Sequence, residues 1–334
     1  MGEVVTQTKS MSEHPFAQYI RILGKGPNLS RPLTKDEAAA AMAMVMDRKI
    51  APEQLGAFLC LLRVKTESPE EVAGLVTGIR SKLEIPVDMP RPMVDWASYA
   101  GKARRLPYYL LAALALSRAG ISIFMHGAED HTAGRVYTST VLRALGVPVA
   151  ANLRQAADHL EQQKFAYLTL PNWSPRLHEI MELRNILGVR SPVHTVARLV
   201  NPLQAPFVLS SVTHPPYLPV HQDGARLLGQ KHMAVFKGDG GEAERRPEKP
   251  CEVWFLRDGQ PEREEWPAMI QTVWEKEESL DLSRLTALWR GEDTDPNGLA
   301  AVLGSMAIVL RYSGRAATQD EALRQAAEMW QARA

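Results

Sequence analysis

The stretch Trp96-Ala97-Ser98-Tyr99-Ala100-Gly101-Lys102-Ala103-Arg104-Arg105 lies between a short apolar run, Pro92 to Asp95, and a strongly apolar helical segment, Pro107 to Ala119. The order reads as strand, loop and helix. In an α/β protein such a loop sits at the carboxyl end of a strand and the amino end of a helix, where free N–H groups and the helix dipole favour a phosphate. The loop carries one glycine, two bulky aromatics and three cations, whereas a tight backbone cradle needs several glycines. Lys102, Arg104 and Arg105 oppose the dipole if they stand at the helix amino end, so they read either as contacts to phosphates or as a solvated basic turn.

Beyond this stretch the chain alternates. Short apolar runs suited to buried strands are Ile121 to Met125, Phe165 to Leu170, Phe207 to Val212, Met233 to Lys237 and Val253 to Leu256. Helical patterns fall between them, at Gly134 to Leu145, Leu153 to Gln162, Pro175 to Leu187 and Tyr217 to Leu228. Alternation of this kind predicts a mostly parallel sheet covered by helices. Asp258-Gly259 is a turn into an antiparallel edge, and the chain from Trp266 onward reads as helical.

Before the stretch lies a helical lobe. Phe16, Tyr19, Ile20 and Leu23 share a face, Thr34-Lys35-Asp36-Glu37 is a capping box, Pro52 is a first-turn proline, and Ser68-Pro69-Glu70-Glu71 caps a fourth helix. The expected division is a polar tail over 1–13, a helical domain over 14–84, a hinge over 85–91 rich in proline, and an α/β domain over 92–334. With 334 residues the chain exceeds what a single core supports. Lys plus Arg number 39 against 38 for Asp plus Glu, so any nucleic-acid binding needs a local patch. The first residues lack a basic-then-apolar leader pattern and no apolar run approaches ~20 residues, which makes the cytoplasm the expected compartment and a membrane an unexpected partner. The two cysteines, Cys60 and Cys251, belong to no CxxC pair.

The phrase Leu55-Gly56-Ala57-Phe58-Leu59-Cys60-Leu61-Leu62-Arg63-Val64-Lys65-Thr66-Glu67-Ser68-Pro69-Glu70-Glu71, with Arg184-Asn185-Ile186-Leu187-Gly188-Val189-Arg190-Ser191 and then Asn201-Pro202, resembles the anthranilate phosphoribosyltransferase superfamily. That resemblance implies the nucleoside phosphorylase/phosphoribosyltransferase-like fold, a homodimer built on the helical domain, segment 172–200 packing on that domain, and phosphoribosyl pyrophosphate with magnesium in a cleft. Ser98-Tyr99-Ala100-Gly101-Lys102-Ala103 stands where the enzymes have a Gly-Thr-Gly-Gly-Asp loop. Met125-His126-Gly127-Ala128-Glu129-Asp130-His131 replaces their Lys-His-Gly-Asn-Arg, and Glu242-Ala243-Glu244 is the nearest match to their magnesium-holding Asp-Glu pair. The phrases Tyr99 to Arg105, Met125-His126-Gly127, Gly188 to Thr195 and Leu209 to Pro215 are similar to the YbiB-like branch. Membership there implies binding of DNA or RNA with little sequence preference, and neither transferase activity nor a cofactor.

Two functions therefore stand foremost, beside a third in which the old cleft holds a nucleotide or phosphate as a sensor. In a nucleic-acid-binding protein, Lys102, Arg104 and Arg105 contact phosphates together with Arg184, Arg190, His194 and Arg198. The last three are four residues apart and form a stripe if helical, although a stripe is also what an ordinary wet helix surface looks like. Ser98, Gly101, His126 and Gly127 are then remnants of a phosphate cleft, and His126 reads equally as a buried structural histidine. In an anthranilate phosphoribosyltransferase, Glu242 and Glu244 are the candidate magnesium ligands and Arg184 orients the acceptor carboxylate. Trp96, Tyr99, Tyr108 and Tyr109 offer faces for bases, but aromatics beside a buried strand are more often core.

Overall fold

The structure is a computed structural model describing residues 12–333 except 273, 275, 276 and 278. Residues 1–11 of the expected tail lie outside the described residues.

Four helices open the chain: α1 (Ala17–Gly24), α2 (Lys35–Met46), α3 (Pro52–Lys65) and α4 (Pro69–Arg80). Both capping boxes form. Thr34 accepts from the Glu37 N–H while Glu37 accepts from the Thr34 N–H, and Ser68 and Glu71 do the same. Helix α4 lies directly on α2 because it carries Gly74 and Gly78; a Cβ at Gly74 would stand 2.3 Å from the Lys35 carbonyl oxygen.

The second part runs β1 (Val94–Ser98), α5 (Tyr109–Arg118), β2 (Ile123–Gly127), α6 (Thr138–Ala144), α7 (Leu153–Gln163), β3 (Phe165–Thr169), α8 (Leu170–Trp173), α9 (Pro175–Glu182), α10 (Arg184–Leu187) and α11 (Val193–Val196). It continues with β4 (Phe207–Val212), α12 (Tyr217–Leu227), β5 (His232–Lys237), β6 (Cys251–Arg257), β7 (Gln260–Trp266), α13 (Leu282–Arg290), α14 (Pro296–Tyr312) and α15 (Gln319–Gln331). The seven strands are ordered β3-β2-β1-β4-β5-β6-β7, the first five parallel and the last two antiparallel. One core lies between the sheet and the helical lobe, and a second is built around α5 and α14 on the other face. Asp258 and Gly259, both with positive φ, form the turn between β6 and β7.

Segment 172–200 packs on the helical lobe: Arg176 Nε donates to the Val45 carbonyl at 3.1 Å, and Arg48 pairs with Glu179. Chain order reverses between β1 and β4, and in open sheets the crevice at the carboxyl ends of such a pair is where ligands bind. The loop after Ser98 and the loop after Val212 flank this crevice.

Several boundaries differ from the sequence reading. Trp96, Ala97 and Ser98 belong to β1 rather than to the loop, because Ala97 and Ser98 pair with His126 and Gly127 of β2. The helix expected from Gly134 starts at Thr138, since Gly134 has φ +73° and Val136 pairs with Lys102 across the crevice loop. The helix expected over Pro175 to Leu187 is two short ones, α9 and α10. Trp266 ends β7, and helical structure resumes at Leu282.

A cationic cleft as the candidate functional site

The crevice loop between β1 and α5 is held by acids from the β5–β6 connection. Lys102 is 1% exposed, and its Nζ donates to Glu244 Oε1 at 2.5 Å and to Asp239. Burial works to lower the Lys102 value, but Glu244 and Asp239 outweigh it, and the ammonium is held above the usual lysine range. Burial also pushes the Glu244 carboxyl up to about 7, against the pull of Lys102. Arg105 is buried as well. Its Nη2 donates to the Trp274 carbonyl at 2.5 Å and lies 3.1 Å from Glu248, and its guanidinium sits 4.4 Å from the Trp274 ring centroid.

The expectation of three cations facing outward is thus corrected for Lys102 and Arg105; Arg104 alone of the three is exposed. The physical reason lies at the helix end. Glu244 Oε2 accepts from the Tyr109 N–H at 2.8 Å in the first turn of α5, so a carboxylate answers the dipole and the cations answer the carboxylate.

A second carboxylate fills the cradle. Glu242 Oε1 accepts from the backbone N–H groups of Ala100 at 2.7 Å and Gly101 at 2.6 Å, and Gly101 has φ +67°. Two convergent N–H groups at such a turn form an anion nest, and here the anion is part of the chain. Burial raises the Glu242 carboxyl above the ordinary range, with Arg198 opposing. Glu242 and Glu244 therefore serve different partners and do not converge on one point. Among the described residues no three His, Cys, Asp or Glu side chains gather as a metal site, and the arrangement does not fit the expected carboxylate-held magnesium.

The remaining cradle residues are structural. Ser98 Oγ joins the hydroxyls of Tyr109 and Thr138 at 3.1 and 2.8 Å in a buried cluster. Gly127 is required because a Cβ there would lie 1.8 Å from the Ser98 carbonyl oxygen. His126 is fully buried, with Nδ1 2.7 Å from the Tyr99 hydroxyl and Nε2 against Asp95. Trp96, Tyr99, Tyr108 and Tyr109 are at most 3% exposed and present no face to a base.

The second cationic group does come together, though not as a helical stripe. Arg190 precedes α11, His194 lies within it, and Arg198 lies in the 3-10 turn Ala197–Leu199. All three line one pocket of about 120 Å³ with Arg63 of α3 and Tyr217 of α12. Arg184 is close by, its Nη1 3.4 Å from Thr132 Oγ1 and 3.5 Å from the His131 carbonyl. Arg135 donates to the Ala100 and Gly101 carbonyls at 2.8 and 3.1 Å.

These cations repel one another. Arg190 is lowered by burial and then by Arg184, Arg135 and Arg63; His131 is lowered by burial and by Arg190, Arg184 and Arg135. Burial, with Arg198 and Arg190, brings His194 down to about 3. Among the described residues none of Arg63, Arg135, Arg184, Arg190 and Arg198 has a carboxylate within 4.0 Å. Sequence reasoning missed Arg63, Arg135 and His131. Arg63 belongs to α3 and the other two to the connection between β2 and α6, and nothing in the sequence marks Arg63 as their neighbour.

Fold and cleft together define an α/β protein with an N-terminal helical lobe and an arginine-lined crevice at the β1/β4 reversal. The chain belongs to glycosyl transferase family 3: residues 17–83 match the description "Glycosyl transferase family, helical bundle domain" and residues 108–332 match "Glycosyl transferase family, a/b domain". It is 30% identical over 233 residues to an anthranilate phosphoribosyltransferase of Prochlorococcus marinus, covering 69% of this chain and 68% of that one. It is 26% identical over 328 residues to the uncharacterized protein YbiB of Escherichia coli, covering 92% and 97%. Among solved structures, the anthranilate phosphoribosyltransferase of Thermus thermophilus superposes with a TM-score of 0.77 at 21% identity, covering 96% and 95%, which shows the fold. No helix of the described residues is long and apolar enough to cross a membrane.

Proposed function

We propose that this family member binds a phosphate-bearing ligand through the arginines of its cleft and does not transfer phosphoribosyl groups. The observation that carries this reading is the pairing of a cradle filled by the chain's own Glu242 with a neighbouring group of arginines that has no carboxylate partner. A diphosphate needs convergent backbone N–H groups, and those of Ala100 and Gly101 are already bonded. Five arginines held against mutual repulsion gain most from a ligand with several phosphates. The class we favour is the sugar-phosphate backbone of DNA or RNA, bound with little sequence preference and mainly by charge. Arg63 and Arg190 supply the exposed contacts, Arg135 and Arg184 the half-buried ones. A homodimer through the helical lobe, as the family resemblance implies, would place two such clefts in one particle.

The second reading is phosphoribosyl transfer to anthranilate or another small aromatic acid. It is supported by the names of the relatives and by Arg184, whose guanidinium contacts the Thr132 hydroxyl and the His131 carbonyl. One preparation tests both. Electrophoretic shifts with single- and double-stranded DNA and RNA at two salt concentrations are expected to show binding that falls steeply with salt. Turnover of anthranilate with phosphoribosyl pyrophosphate and magnesium is expected to match the no-enzyme control. Turnover above that control, with no shift of any polymer, would replace the first reading by the second.

A further inference from the structure

The pocket that holds Arg63, Arg190 and Arg198 opens to solvent. Its lining includes Ser191, 5% exposed, whose Oγ is buried and has no hydrogen-bond partner among the described residues. Its two sides belong to different lobes: Arg63 Nη1 donates to the Tyr217 hydroxyl at 3.1 Å, and that hydroxyl donates to Glu67 at 3.1 Å, which fixes the guanidinium at the rim. Arg198 is anchored to the His194 carbonyl and lies 5.7 Å from the Tyr99 ring centroid, so its remaining N–H groups are held in place with no carboxylate within 4.0 Å among the described residues. His194 Nδ1 is engaged by the Ser191 carbonyl at 3.2 Å, which orients the ring.

A volume of about 120 Å³ admits one tetrahedral phosphate and little more. Three guanidiniums also favour the two charges of a monoester over the single charge of a diester. From this geometry we infer that the pocket is a phosphomonoester site, accepting a terminal phosphate through Arg63, Arg190, Arg198 and the Ser191 hydroxyl. Applied to the polymer reading above, on which this step rests, the monoester is the phosphorylated end of a nucleic-acid strand. The same chemistry is carried by free phosphate or a sugar phosphate.

The test compares a 5′-phosphorylated dodecanucleotide with its 5′-hydroxyl counterpart, and titrates inorganic phosphate and ribose 5-phosphate, on the wild-type chain and on Arg63→Ala, Arg190→Ala and Ser191→Ala. Arg63 and Arg190 are exposed, so their variants are expected to fold; Ser191→Ala removes only the unpartnered hydroxyl. The phosphorylated strand is expected to bind about tenfold more tightly than the hydroxyl strand, since charge-assisted hydrogen bonds are the strong ones. That ratio is expected to fall toward one in both arginine variants, and severalfold in Ser191→Ala. Equal binding of the two strands, or a preference that survives Arg63→Ala and Arg190→Ala, overturns the site while leaving the polymer reading intact. Binding of ribose 5-phosphate or phosphate that the variants abolish, with neither strand bound, upholds the site and removes the polymer reading.

Discussion

Lys102 Nζ lies 2.5 Å from Glu244 Oε1, with the two side chains 1% and 0% exposed. This buried pair ties the crevice loop to the β5–β6 connection and to the first turn of α5 at once. Asp239 is its third member.

Removing the cation is expected to be costly. Lys102→Met leaves Asp239 and Glu244 facing each other without an ammonium, and breaking a buried pair from one side costs about 3–5 kcal/mol. Urea denaturation checks this, with Arg104→Ala as the control expected to leave the midpoint unchanged. A Lys102→Met variant as stable as wild type would return Lys102 to the solvent-facing role.

The cleft arginines are expected to trade stability for affinity. Arg190 is lowered by burial and by three neighbouring guanidiniums, so Arg190→Ala relieves repulsion in the free chain while removing one phosphate contact. The expected outcome is an unchanged or higher thermal midpoint, together with weaker polyanion binding whose dependence on salt is shallower by about one contact. A loss of stability with unchanged binding would argue for a purely structural arginine.

Acid is expected to destabilise the fold through its buried histidines. Burial brings His221 down to about 3, with Arg198 adding to it, and His194 to about the same value. Each is depressed in the folded state, so the stability it supports is present above the unfolded value of roughly 6.5 and is lost as pH falls below it, because only the unfolded chain takes up the proton. Between pH 7.5 and pH 5 each contributes a loss of about 1–2 kcal/mol. In His221→Gln, where the amide can still meet Ser210, denaturation at the two pH values is expected to show a smaller loss than wild type.

At the carboxyl ends of β1 and β2 the chain has no room for a methyl group. Gly127→Ala places a carbon 1.8 Å from the Ser98 carbonyl oxygen and is expected to cost about 3 kcal/mol or more. Calorimetry reads the loss directly. A neutral effect would mean that the two strands separate there more freely than their pairing indicates.

What was legible in the sequence was local. Thr34 with Glu37 and Ser68 with Glu71 are three residues apart, and both boxes form because each partner is within one helical turn. Asp258-Gly259 makes its turn for the same reason. What was not legible was the company of Lys102: Asp239 and Glu244 lie 137 and 142 residues downstream, and only the sheet order, with β4 beside β1 and β5 beside β4, brings them near. Read alone, Lys102, Arg104 and Arg105 look alike. The fold separates them into one exposed cation and two buried ones. Arg190, His194 and Arg198 were grouped by a helical spacing that the backbone does not keep, yet they meet because the turn wraps them around one pocket.

The carboxylate in the Ala100–Gly101 nest is covalently attached and cannot diffuse away. A tethered group is present at its partner at an effective concentration of millimolar or more, and a rigid tether raises this further. A free diphosphate at lower concentration therefore meets an occupied seat however much of it reaches the cleft. Under the reading proposed above, Glu242 in the nest is equivalent to a fixed competitive inhibitor of the chain's own crevice, with the arginines outside the nest left to exchange with solution.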